Sequence, residues 1–303
     1  MHILGIDCGL SYTTNSTGLC QIVNQQTKVF RTFSDKISKL EVLNLDREID
    51  LICVDAPLLP NTYSNKRVDG NAIRVVETLF TLGKVFPSRC KPGHTHSKNT
   101  YDGHNKIVGN TGYGLRRAGG DTVVQFIEYL SNKQHLITNF PKVEPDNNFI
   151  ETCPNVVLGI LLNDNDYNQL PPKKKGRRDT FDRLYDYCQK NRLFEKLRAS
   201  STFLDHSIWT SLSQEMDHEK RAALICSLIG MLVLNESYVA IGDDDTGYFF
   251  LPPMDSWREW VKNELQKSVD RYIEKNGNVP IIFWSNGQRY NLKDSKYNYK
   301  LPV

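Results

Sequence analysis

Residues Ile3 to Leu10, ILGIDCGL, form a short apolar run that ends on a carboxylate, Asp7, with glycines at positions 5 and 9. A run of this length bounded by turn residues reads as a buried strand with Asp7 at its end. Two more strands are predicted over 18–24 and 28–34. Asn15-Ser16-Thr17-Gly18 and Asn24-Gln25-Gln26 supply the turns. A polar, helix-like segment at 35–48 leads to DLICVDAPL (50–58), which is again apolar, carries Asp55 near its end and is stopped by Pro57. Three meandering strands, a helix and another buried strand predict an α/β protein with a mixed sheet flanked by helices.

Further along, Arg67 to Leu82 reads as a helix with Ile73, Val76, Leu79 and Phe80 on one side. Residues 86–114, rich in Gly, His, Asn, Lys and Thr, are long for a connection and read as a functional or mobile loop. Helical patterning returns at 121–132. NFIETCPNVVLGILL (148–162) reads as strand, a break at Pro154, then helix. A basic loop, PPKKKGRR (171–178), precedes a helix at 179–190, and DHEKRAALICSLIGMLVL (217–234) is a buried helix, apolar almost all round. YVAIGDDDTGYFFLP (238–252) reads as a hairpin, 255–275 as an amphipathic helix, and VPIIFW (279–284) as an edge strand. No repeat or clear linker interrupts the pattern. The expectation is one domain over 1–303, with an insertion at 86–120 and a helical and strand extension at 254–303.

Of the 303 residues, 39% are hydrophobic and 24% charged, as in an ordinary globular protein, and a net charge of +3 is too mild to argue for nucleic acid. No run approaches the ~20 apolar residues of a membrane span. Seven cysteines form no CxxC pair, and Cys8, Cys53 and Cys226 sit in apolar runs as small hydrophobes. With no export signal, this set reads as reduced and the chain as cytoplasmic.

Asp7, Asp55 and Glu151 share one setting, within or at the end of a predicted strand. Neighbouring strand ends would gather them at one sheet edge, where like charges need a divalent cation between them. Oxygen ligands select Mg²⁺ or Mn²⁺, and two such ions can drive phosphodiester hydrolysis. Acids at strand ends also cap turns and helices, so spacing alone makes no motif.

ILGIDCGL is similar to the first strand of ribonuclease-H-like nucleases, including Holliday-junction resolvases. More of the chain resembles the domain of unknown function 429 family, predicted nucleases of that fold. The matching stretches are GIDCG (5–9), CVDAPLLPN (53–61), Arg67 to Asp69 with Arg74, IETCPNVVL (150–158), KKKGRRDTFDRL (173–184), AALICSLIGML (222–232) and IGDDDTGYFFLPP (241–253). The resemblance implies a ribonuclease-H-like mixed sheet with a metal-bound acidic cluster at Asp7, Asp55 and Glu151. It also implies an acid at the start of the Ala-Leu run, where this chain has Ala222; Asp217, His218 and Glu219 lie one turn earlier. Glu219 or His218 could reach the same site, with Glu219 or Asp217 as the fourth acid, or that acid is lost.

Lys173, Lys174, Lys175, Arg177 and Arg178 read either as a solvated loop or as contacts to a nucleic-acid backbone. Arg67 and Arg74 read as a structural ion pair with Asp69 or as groups that position a substrate phosphate. Cys90, His94, His96 and His104 fit no common zinc spacing. Asp243-Asp244-Asp245 reads as a turn, and Cys153 lacks an identifiable histidine partner for a nucleophile. Three functions remain. The first is a metal-dependent nuclease or phosphodiesterase. The second is a nucleic-acid- or protein-binding module of the same fold with impaired chemistry. The third is a sugar-kinase- or actin-like ATPase, disfavoured because Gly119-Gly120 comes too early for an adenosine motif.

Overall fold

A computed structural model describes residues 1–8, 15–32, 49–55, 75–82, 141–143, 148–164, 166, 180–199, 201–203, 206–244, 247–276 and 281–292. Strands β1 (His2–Asp7), β2 (Thr17–Val23) and β3 (Gln26–Thr32) form an antiparallel meander. Strand β4 (Leu51–Val54) joins parallel to β1, and β5 (Asn148–Glu151) joins parallel to β4, giving the order β3-β2-β1-β4-β5. The predicted mixed sheet is present. Strand β2 starts at Thr17, one residue before the predicted start, and Asn24-Gln25 closes the β2–β3 hairpin with Asn24 at φ 56°. The helices predicted at 35–48 and 121–132 and the loop at 86–114 lie outside the described residues.

The described helices are α1 (Val75–Leu82), α2 (Pro154–Leu161), α3 (Thr180–Lys190), α4 (Leu193–Ala199), α5 (Ile208–Gln214), α6 (His218–Leu234) and α7 (Glu259–Asn276). Pro154 opens α2 at its first turn, where the missing N–H costs no helix hydrogen bond. Among the described residues, no helix is long and apolar enough to cross a membrane.

Helix α6 positions the site. Its Leu224, Ile225, Leu228 and Ile229 are fully buried, each worth about 1.5–3 kcal/mol of hydrophobic stabilisation. It lies so close to the sheet that a Cβ on Gly5 would stand 2.4 Å from the Ala223 carbonyl oxygen and 2.3 Å from Ser227 Oγ. A Cβ on Gly230 would stand 2.6 Å from Cys53 Sγ and 2.8 Å from Ile3 Cγ2. Ser227 Oγ also donates to the Cys20 carbonyl at 2.9 Å. Helix α6 therefore runs antiparallel to β1, with Gly230 over Ile3 and its first turn over the strand's C-terminal end.

A second, antiparallel sheet has the order β7-β6-β8-β9, from β6 (Val239–Asp243), β7 (Gly247–Leu251), β8 (Ile282–Ser285) and β9 (Gln288–Asn291). The 238–252 hairpin is as predicted. The VPIIFW strand is not an edge: β8 pairs with β6 on one side and β9 on the other. The correction follows from Asn286-Gly287, at φ 51° and 73°, a two-residue turn that folds β9 back as the true edge. The two sheets meet where Thr152 Oγ1 donates to the Phe250 carbonyl at 2.8 Å, and Phe80 of α1 stacks on Phe249, their ring centroids 6.1 Å apart.

Candidate active site at the ends of the central strands

Strand register assembles the site. Asp7 pairs with Gly18, and Gly18 pairs with Arg31. Ile6 pairs with Val54, and the Asp55 amide donates to the Ile6 carbonyl at 3.0 Å, carrying the ladder one residue on to set Asp55 beside Asp7. On β5, Cys53 pairs with Ile150, and the Thr152 amide donates to Val54 at 3.0 Å, which sets Thr152 beside Asp55. Arg31, Gly18, Asp7, Asp55 and Thr152 thus form one row across the sheet, on the face that α6 covers.

Glu151 is one residue out of step. It pairs with Val54, so strand alternation turns it to the opposite face, with Leu4, Ile6, Ile52 and Phe149. It is 3% exposed there. The register brings Asp7 and Asp55 together and leaves Glu151 apart from them.

Two thiols report on the acid pair. Cys226 of α6 donates to the Ile6 carbonyl at 3.5 Å, and Cys8 follows Asp7. The Cys226 thiol is pushed well up by burial, then by the charges of Asp55 and Asp7. The Cys8 thiol is also pushed well up by burial, then by Asp7 and Asp55. Burial raises Cys20 to about 12 against a hydrogen bond from Ser227, and it holds Cys53 well above the usual range. All four stay protonated, so none offers a thiolate. Ala222 stands one helical turn before Cys226 on the same stripe. Ala222 is buried there, toward the end of α6 that lies over the strand ends.

Asp217 and Glu219 are engaged elsewhere. Asp217 is the α6 N-cap: its Oδ1 accepts from the Lys220 amide at 3.2 Å, and its Oδ2 accepts from Arg31 at 3.0 Å. Glu219 Oε1 meets the same guanidinium at 3.4 Å. Gly18 makes this docking possible, because a Cβ there would fall 1.9 Å from the Glu219 carbonyl oxygen.

Behind the row lies a buried network that the sequence reading missed. Arg221, fully buried, pairs with Asp182 at 3.2 Å and Asp186 at 2.7 Å, donates to the Glu215 carbonyl at 2.8 Å, and stacks on Tyr185 at 4.6 Å. His218 Nδ1 lies 3.2 Å from Asp182. Burial opposes charge on Asp182, but hydrogen bonds and charges from His218 and Arg221 outweigh it and hold the carboxyl below its usual range. Two signals in the sequence mark this network: an arginine in an otherwise apolar helix, and two aspartates four apart on the facing helix.

Among the described residues, no group of three or more His, Cys, Asp or Glu side chains is placed to hold a metal ion. Asp7 and Asp55 are nonetheless hard oxygen donors side by side. One or two carboxylates, completed by water and a phosphate, suffice for a single Mg²⁺. The pair fits one such ion. Asp244 of the triple-aspartate run takes a turn role, accepting from Tyr248 Oη at 2.5 Å and pairing with Arg289 at 2.7 Å. Arg67, Asp69, Arg74, Lys173, Lys174, Lys175, Arg177, Arg178, Cys90, His94, His96 and His104 lie outside the described residues. No family model, no curated protein and no solved structure matches this chain.

Proposed function

We propose that the chain is a divalent-metal-dependent phosphodiesterase of ribonuclease-H-like fold, acting on nucleic acid at the row that holds Asp7 and Asp55. One observation carries this reading: two carboxylates end neighbouring parallel strands in register, on the face beneath α6. The antiparallel meander continued by two parallel strands supports the fold that the resemblance implies. Asp7 and Asp55 hold Mg²⁺ or Mn²⁺. When bound, the ion supplies charge stabilisation and acidifies a water molecule. Thr152, tied to the Phe250 carbonyl, fixes the adjoining end of β5. The basic run 173–178, with Arg67 and Arg74, supplies phosphate contacts.

The test is cleavage of end-labelled single- and double-stranded DNA and RNA in Mg²⁺ or Mn²⁺ by wild type and by Asp7→Asn and Asp55→Asn. Losing a metal-held step costs several kcal/mol, so each variant should fall by at least about a hundredfold. Cleavage that survives both substitutions excludes the site.

Ala222 favours a second reading, a binding module of the same fold with impaired chemistry. Salt-sensitive binding of the same nucleic acids without turnover in any metal would select it.

A further inference from the structure

The geometry points to Arg31 as a latch on Glu219, a side chain placed to serve either Arg31 or a cation at Asp7. The inference rests on the metal-site reading above. Gly18 is flanked by Asp7 on β1 and by Arg31 on β3, and all three share one sheet face. Glu219 sits directly on Gly18, its carbonyl oxygen where a Cβ would be. Its side chain therefore starts midway between the guanidinium and the acid pair.

The contact that holds it is the weaker of two. Arg31 reaches Asp217 at 3.0 Å and Glu219 at 3.4 Å, with Glu219 still 20% exposed. Asp217 alone caps α6, so the helix end keeps both its cap and its shorter ion pair when Glu219 leaves. A long, partly exposed ion pair is cheap to break. A divalent cation at Asp7 and Asp55 competes with Arg31 for the same carboxylate, and at such sites an added anionic oxygen tightens binding. Without the ion, Glu219 rests on Arg31. With it, Glu219 turns across Gly18 to the acids.

The test is Mn²⁺ binding to the full chain, followed by electron paramagnetic resonance, for wild type, Glu219→Gln, Arg31→Gln and the double variant, with Asp7→Asn as the reference for loss of the site. Glu219→Gln should weaken binding about tenfold, the order of effect for a supporting carboxylate. Arg31→Gln should tighten it in wild type and do much less in the Glu219→Gln background. Circular dichroism checks that each variant keeps its helix content. Equal effects of Arg31→Gln in both backgrounds would reduce Arg31 to a distant charge and overturn the latch. So would loss of binding in Asp7→Asn with none in Glu219→Gln, which leaves the metal site standing. No saturable Mn²⁺ binding by wild type overturns the latch and the site together.

Discussion

Two groups of charge meet the first turns of α6, and they are built in opposite ways. On the side toward α3, one buried guanidinium answers two aspartates, a carbonyl and an aromatic face. On the side toward the sheet, two carboxylates are set next to each other by the register. The first arrangement has opposite charges in contact and serves the fold. The second places like charges together, the arrangement on which the proposed cation site rests.

Arg221→Met should show the contrast most strongly. It leaves Asp182 and Asp186 without their shared partner, and removing one member of a buried pair costs about 3–5 kcal/mol. Urea unfolding followed by circular dichroism should show the midpoint falling with an unchanged slope. By contrast, Asp7→Asn keeps the side chain's size and removes one of two neighbouring like charges, so it should move the midpoint much less than Arg221→Met. A loss comparable to Arg221→Met would mean that Asp7 serves the fold rather than the site.

Gly5→Ala should come next. Its Cβ meets a main-chain carbonyl of α6, and overpacking of this kind costs about 1–3 kcal/mol. Thermal unfolding of the Gly5→Ala variant measures it, and an unchanged midpoint would mean that α6 can move off the sheet.

Acid should separate the two regions by smaller amounts. Asp182 titrates below its usual value of 3.8, so its stabilising effect is complete above that pH and is lost as the pH falls through its folded value. Asp182→Asn should flatten the stability profile below about pH 4. A second histidine sharpens the comparison. The His206 ring accepts from the Ile208 amide at 3.1 Å and lies 3.0 Å from the Asn24 carbonyl, which makes Nδ1 the acceptor and Nε2 the donor. Burial depresses its pKa below 6.5, against the hydrogen bond to Asn24. Its neutral form is favoured by folding, so stability should decline as the pH falls below about 6.5, and His206→Gln should remove that slope.

Much of this was legible from apolar runs and their punctuation. The runs ending at Asp7 and Asp55 gave two central strands, and Pro154 marked the start of α2 where the structure has it. Glu151 differs from Asp7 and Asp55 in phase. An apolar run shows that an acid lies near a strand end, but strand parity decides its face, and one residue of phase sends Glu151 to the other side. β9 was missed although Asn286-Gly287 is a strong hairpin signal, because its strand, Gln288–Asn291, is polar and exposed. The Arg221 network joins residues 35 to 39 apart through tertiary contacts, which no local pattern encodes.

The close seat of α6 on Gly5, Gly18 and Gly230 has an electrostatic consequence of its own. The helix macrodipole carries roughly half a positive charge at its N-terminus, and the missing side chains bring that end down onto the row of Asp7 and Asp55. This charge belongs to the peptide backbone, so no change of pH can titrate it and no side-chain substitution can remove it. The three glycines, by setting the distance between helix and sheet, also set how strongly that field bears on the acid pair.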